Sequence, residues 1–177
     1  MILVLLLYIH FPRTTVPSIV FYNLHNCAAV HLIEADNSSY LCSNRKDSTY
    51  IYMKNIAETY WKRKKMPIPH LLLSDYEGRN VWSHKGIVHW RGMNICMVTD
   101  GYWRNKSATN LLDIDYMYLC KGYKGEIAPL QKLFHIKRIV LDASLGDYKS
   151  KAYKEECKTL GLDYIDISEK GSFRILL

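Results

Sequence analysis

The sequence has no C-x-x-C pair, no two histidines standing two residues apart beside an acid, no fixed repeat and no low-complexity stretch. The first two absences remove the usual dithiol and zinc patterns. The last two remove solenoids and compositionally biased tails. Its five cysteines, Cys27, Cys42, Cys96, Cys120 and Cys157, are widely spaced and mostly sit in apolar segments such as Asn94-Ile95-Cys96-Met97-Val98, so they read as separate core residues. Only Cys120 is followed by a pair of cations, Lys121 and Lys124, in a glycine-rich loop, the kind of surrounding that lowers a thiol pKa. Of the seven histidines, His84 and His89 come nearest to a metal motif. An odd spacing puts them on opposite faces of one strand, unless a bulge at Gly86 restores one face.

Long hydrophobic runs are also missing. Met1–Phe11 is apolar but is halted by Pro12-Arg13; as a helix it would rise about 17 Å against a hydrocarbon core of about 30 Å. It lacks the basic start and small-residue cleavage site of a secretory signal. Residues 1–13 therefore read as the last turns of a transmembrane helix cut from a longer polytopic protein, or else as a buried N-terminal strand or helix. Residues 14–177 read as one domain. A hydrophobic fraction of 49% supports a sizeable core, and 23% charged residues argue against extensive disorder.

The C-terminal half is the clearest part of the pattern. Tyr116 to Cys120 is a strand, Lys121 to Gly125 a glycine-punctuated loop, and Glu126 to His135 a short helix leading into the strand Ile139-Val140-Leu141. After Asp142-Ala143-Ser144 and Gly146 comes a helix with Ala152, Tyr153, Cys157 and Leu160 at three- and four-residue spacing, closed by Gly161. Tyr164, Ile165 and Ile167 make a further strand, and Glu169-Lys170-Gly171 turns the chain as a hairpin into Phe173-Arg174-Ile175. Two successive β-α-β units predict parallel strands with right-handed crossovers.

Upstream, Ser39 to Cys42 should pair with Ala29 to Glu34 across Ala35-Asp36-Asn37-Ser38. A helix capped by Asp47 or Ser48 runs to about Lys65, with Ile51, Ile56, Tyr60 and Trp61 apolar and Met66-Pro67 ending it. Leu71–Leu73, Asn80–Trp82, Ile87–Trp90 and Met93–Val98 are short strands between glycine turns, which favours an antiparallel meander.

Two segments carry a resemblance to a known family. Ile19 to Glu34 resembles an opening pair of strands, with Asn23 to Ala28 in the turn between them; Leu141 to Phe173, including Lys154 to Gly161 and Glu169-Lys170-Gly171-Ser172-Phe173, resembles a closing helix, strand and hairpin. They are similar to the metallo-β-lactamase-like C-terminal domain of ComEC-type DNA-uptake channels, in its divergent Bacteroides-like version. The resemblance implies an α/β sandwich with mixed sheets and flanking helices, degenerate relative to a full metallo-β-lactamase domain, with a β-α-β-α-β run in its C-terminal half. It also implies a place at the bacterial inner membrane, on the extracytoplasmic side, beside the membrane-embedded channel portion of a longer protein. Active relatives need an H-x-H-x-D-H cluster to hold two divalent ions. Here the turn at Asn23 to Ala28 lacks acids, and Cys120-Lys121-Gly122 stands where a His-His-Gly-Ser loop would be. No metal ligand, catalytic residue or small-molecule cofactor is assigned on that basis.

A net charge of +7 and a sequence pI near 9.1 suit an anionic partner such as DNA. Candidate DNA-contacting residues are Lys62, Arg63, Lys64 and Lys65 at the end of the first helix, Lys121 and Lys124 in the glycine loop, and Trp103 and Arg104, beside Tyr102 and Lys106, in a polar loop where an aromatic ring could stack on a base. Lys149, Lys151, Lys154 and Lys158 line the last helix, where they can equally be its solvated face. Three functions follow: a non-catalytic module of a DNA-uptake channel that contacts DNA, a metal-dependent nuclease of the metallo-β-lactamase type, or an assembly module that binds no nucleic acid.

Overall fold

The structure, a computed structural model, describes residues 16–25, 27–36, 38–43, 48–72 and 75–177. The expected apolar run at 1–13 and the cap at Asp47 lie outside them. The chain opens with β1 (Ser18–Phe21), β2 (Ala29–Ile33) and β3 (Ser39–Ser43), followed by α1 (Ser48–Lys64) and β4 (His70–Leu72). It continues through β5 (Tyr76–Glu77), β6 (Val81–His84), β7 (Ile87–Trp90), β8 (Met93–Val98), β9 (Leu112–Ile114) and β10 (Tyr116–Leu119). After a 3₁₀ turn at Ala128–Lys132 come β11 (Phe134–Ile136), β12 (Ile139–Leu141), α2 (Asp147–Leu160), β13 (Tyr164–Asp166), α3 (Ile167–Lys170) and β14 (Phe173–Leu176).

Two mixed sheets face each other: a five-stranded one in the order β14-β1-β2-β3-β4 and a seven-stranded one in the order β13-β12-β10-β8-β7-β6-β5. Alternate residues of each strand point to opposite faces, so each apolar strand serves two layers. Phe21, Val30, Leu32 and Cys42 meet Trp90, Ile95, Met97, Tyr118 and Val140 between the sheets. Val20, Ala29, Ile33 and Leu41 take Ala57 and Trp61 of α1 on the outer face of the smaller sheet. Cys96, Met117, Leu119 and Ile139 take Tyr153 and Cys157 of α2 on the outer face of the larger one. The result is an α/β sandwich in which helices cover both outer faces.

The expected β2–β3 hairpin is present, with Ala29 opposite Ser43 and Ile33 opposite Ser39. So are the parallel pairs β10–β12 and β12–β13. Gly161 closes α2 in the left-handed conformation, φ 65°, as its position after Leu160 predicts. The hairpins β6–β7 and β7–β8 turn on Lys85-Gly86 and Arg91-Gly92, all four residues having positive φ, the signature of the tight turn that matches strand twist.

Four local expectations need correction. Glu126 to His135 is no α-helix: only Ala128–Lys132 forms a 3₁₀ turn, and the chain then extends so that Phe134–Ile136 pairs in parallel with Leu112–Ile114 as a small separate sheet. Leu71 and Leu72 are not the first strand of the meander but belong to β4, parallel to β3 in the other sheet, with the crossover made by α1. Ile167 begins the short helix α3 rather than ending a strand, because Asp166 caps it through Ser168 N at 2.8 Å. The closing segment is then not a hairpin. β14 crosses to the smaller sheet and pairs antiparallel with β1, so the last strand ties both sheets together. On α1, Ile51 is exposed, and Trp61 is the aromatic that enters the core.

Candidate functional site

Because β8, β10, β12 and β13 run parallel, Val98, Leu119, Leu141 and Asp166 end along one edge of the larger sheet. In α/β sheets that edge is where ligands bind, since the connecting loops converge there. Here it carries Thr99-Asp100, the loop Cys120–Gly125, Asp142–Ser144 and α3. From the other sheet, Asn23 after β1 reaches the same edge, its backbone N–H donating to Ser172 Oγ at 3.0 Å.

The edge is tightly braced. A Cβ on Gly122 would stand 1.8 Å from the Thr99 carbonyl, so the Cys120–Gly125 loop lies against the end of β8 as only glycine permits. Lys121 N donates to Ser144 Oγ at 3.3 Å. Asp142 accepts from the Tyr118 hydroxyl and from the hydroxyl and backbone N–H of Ser144. Burial raises the pKa of the Asp142 carboxyl even against those donors. Asp166 goes the other way. Burial would raise it, but Lys154 Nζ at 2.5 Å and the Ser168 and Ser150 hydroxyls bring it down to about 2.

Two clefts flank the turn Gly101–Asn105. One, of about 340 Å³, is lined by Ser43, Lys85, Thr99, Asp100, Tyr102 and Trp103. The other, of about 300 Å³, is lined by Arg104, Asn105, Tyr123, Lys124 and Glu126. Between them stands an aromatic and cationic crest. Lys106 Nζ lies 3.2 Å from the Tyr102 ring centroid and 5.4 Å from that of Trp103, and Lys85 Nζ lies 5.7 Å from Tyr102. Trp103 is half-buried, edge-to-face with both Tyr102 and Phe134, so it buttresses the crest while Tyr102 is its exposed ring.

The structure thus brings Trp103, Arg104, Lys121 and Lys124 to one edge and leaves Lys62, Arg63, Lys64 and Lys65 elsewhere. α1 starts beyond Ser43, at the loop-bearing edge, and ends beside Pro67, whose carbonyl accepts from Ser39 Oγ at the opposite end of β3. The four basic residues are exposed at that far end, with Lys62 paired to Glu58 at 2.8 Å. The lysines of α2 are mostly engaged: Lys149 donates to the Gly125 carbonyl, Lys154 to Asp166 and Glu169, and Lys158 to Glu155. Lys85 was missed in sequence because it reads only as a turn residue before Gly86. Cys120 is fully buried, and burial holds its thiol far above the usual range despite the neighbouring lysines.

His84 and His89 are not on opposite faces of one strand. Lys85-Gly86 is a hairpin turn, so they sit on adjacent strands, diagonal to each other on the same exposed face. Among the described residues, no group of three or more His, Cys, Asp or Glu side chains is placed to hold a metal ion, and no helix is long and apolar enough to cross a membrane.

No curated protein and no solved structure matches the chain. The family described as the ComEC C-terminal domain matches residues 19–177, from the second residue of β1 to the end of the sequence. That span takes in both sheets, both covering helices and the whole loop-bearing edge, and the chain therefore belongs to the ComEC C-terminal domain family, which connects it with DNA uptake in competence.

Proposed function

We propose that the chain is a non-catalytic module of a membrane DNA-uptake channel that contacts DNA through the loop-bearing edge. The observation that carries this reading is that Lys85 and Lys106 stand over Tyr102 while Arg104 and Lys124 line the neighbouring cleft and Lys121 lies in the loop at the same end of the parallel strands. Cations at that spacing follow a phosphate backbone, and an exposed tyrosine offers a face to a base without selecting its sequence. Residues 1–13 would tether the module to the channel portion of a longer protein, on the extracytoplasmic side of a bacterial inner membrane.

The metallo-β-lactamase resemblance is part of the proposal. Two facing sheets with a helix on each outer face agree with it, and Lys121 occupies the loop where that resemblance expects a ligand. A protonated lysine amine repels a divalent cation and attracts a phosphate, which favours contact over hydrolysis at this edge.

Fluorescence anisotropy of a labelled oligonucleotide titrated with the protein tests the reading. We expect saturable, sequence-independent binding that weakens steeply with salt and weakens at least tenfold in Lys121→Glu/Lys124→Glu. Absence of binding at low salt overturns it in favour of an assembly module. Cleavage of the oligonucleotide in the presence of Mn²⁺ or Zn²⁺, abolished by chelator, overturns it in favour of a nuclease.

A further inference from the structure

We propose that His84 and His89 form a two-imidazole surface site for a transition-metal ion of the Cu²⁺, Ni²⁺ or Zn²⁺ class. The proposal is independent of the DNA-contact reading, since it concerns the outer face of β5–β7, not the loop-bearing edge.

The first support is register. Trp82 pairs with His89 and His84 with Ile87 across the β6–β7 hairpin. His84 and His89 are therefore diagonal neighbours on one face, a relationship that places Cα atoms about 7–8 Å apart, within reach of a shared ligand for two side chains of this length. Both imidazoles are exposed, and the two-residue turn between the strands fixes their spacing.

The second support is the ring orientation that the neighbours impose. His84 Nδ1 lies 3.0 Å from Asp75 Oδ1. A carboxylate oxygen only accepts, so Nδ1 carries the hydrogen. His89 Nδ1 lies 2.7 Å from Asn94 Oδ1, and the orientation of that amide is settled by its Nδ2, which donates to the Asp113 carbonyl at 2.9 Å. Nδ1 of His89 therefore donates as well. Both rings are held in the tautomer whose Nε2 lone pair is directed away from the holding group, and each is oriented by a carboxylate or amide oxygen. That is the outer-shell arrangement which metal-bound histidines use to fix ring orientation and raise ligand basicity. Two imidazole nitrogens, with water completing the coordination, select copper, nickel and zinc over magnesium or calcium.

Trp82 supplies the readout. It stands directly across from His89, and its ring centroid is 6.0 Å from that of His84, so Cu²⁺ held between the imidazoles will quench its fluorescence. We expect a titration of the protein with CuCl₂ to give saturable quenching at one equivalent. His84→Ala and His89→Ala should each weaken it by at least tenfold, His135→Ala should leave it unchanged, and Asn94→Ala should weaken it by about 10–100-fold, as loss of an outer-shell partner does. Trp82→Phe should keep the calorimetric binding isotherm while losing the saturable quench. Far-UV circular dichroism of each variant separates loss of the site from loss of the fold. Equal affinity in His84→Ala or His89→Ala, or retention of the quench in Trp82→Phe, overturns the proposal.

Discussion

Trp90 Nε1 donates to Glu34 Oε1 at 2.6 Å, joining the end of the smaller sheet's β2 to the larger sheet's β7 inside a largely apolar layer. The second carboxylate oxygen accepts from Arg91 Nη1 at 2.9 Å. The Glu34 side chain is only 4% exposed, so these donors take the place of water around its oxygens. Glu34→Ala leaves the Trp90 indole N–H buried without that acceptor, and Trp90→Phe removes one donor from a buried carboxylate. Each should cost about 2–3 kcal/mol in urea unfolding. A double variant no less stable than either single one would confirm that the two residues act as a pair.

A second buried relay predicts acid sensitivity. Trp61 Nε1 donates to Tyr22 Oη, which in turn shares a hydrogen bond with His31 Nδ1 at 2.8 Å. His31 is fully buried beneath α1, and its Nε2 has no partner among the described residues. Burial, with a smaller push from Arg174, lowers its pKa to about 3. The folded state thus binds the proton less readily than the unfolded chain, whose histidine titrates near 6.5. The associated stability is present above pH about 6.5 and is lost as pH falls from there toward 3, with a limiting slope of about 1.4 kcal/mol per pH unit. His31→Leu should flatten that slope in urea melts between pH 6.5 and 4.

Thiol chemistry should be silent in the native protein. All five cysteines are buried thiols; burial pushes Cys42 and Cys96 up to about 12 and Cys157 up to about 11. Ellman's reagent at pH 8 should find no fast-reacting thiol before denaturation and all five after it. A rapidly labelled Cys120 would show that Lys121 and Lys124 outweigh burial in setting the reactivity of that thiol.

Gly122→Ala tests the bracing of the edge. The added Cβ meets the Thr99 carbonyl, a backbone atom that cannot rotate away, so either β8's end or the Cys120–Gly125 loop must move. We expect a loss of about 1–3 kcal/mol, together with weaker DNA binding because Lys121 and Lys124 shift with the loop. Full retention of both would show that the loop is not set by this contact.

These cases also show where sequence is a sufficient guide. β10, β12, α2 and β13 were legible because short apolar runs alternate with a segment of helical period, and that helix is bounded by Gly146 and Gly161. The assignment of strands to sheets was not. Leu71-Leu72 and Phe173-Arg174-Ile175 look locally like members of a meander and a hairpin, yet β4 and β14 belong to the opposite sheet, and only the long-range pairing decides that. The candidate site divides in the same way. Lys121, Lys124, Trp103 and Arg104 were visible as residues, but their convergence needs the parallel register, and Lys85 enters only through the hairpin that carries it past β8. For His84 and His89 the difference is one of topology: counted along a single strand they fall on opposite faces, but the Lys85-Gly86 turn puts them on neighbouring strands with one face in common.

The division of basic residues between two ends of the sandwich gives the sharpest test of the interface. α1 spans 17 residues, about 25 Å of helix, so the Lys62–Lys65 end and the Lys121/Lys124 edge are separated by about seven base-pair steps of duplex. A short oligonucleotide cannot satisfy both. If the edge is the interface, Lys121→Glu/Lys124→Glu should weaken binding of a short single strand and lower the dependence of log Kd on log salt by roughly 0.7 for each phosphate that the variant no longer neutralises. Reversing Lys62, Arg63, Lys64 and Lys65 should leave that short strand nearly unaffected and matter only for DNA long enough to reach the far end. The opposite ranking would move the interface to α1, where the cations lie beside no aromatic crest and their attraction for DNA would be purely electrostatic.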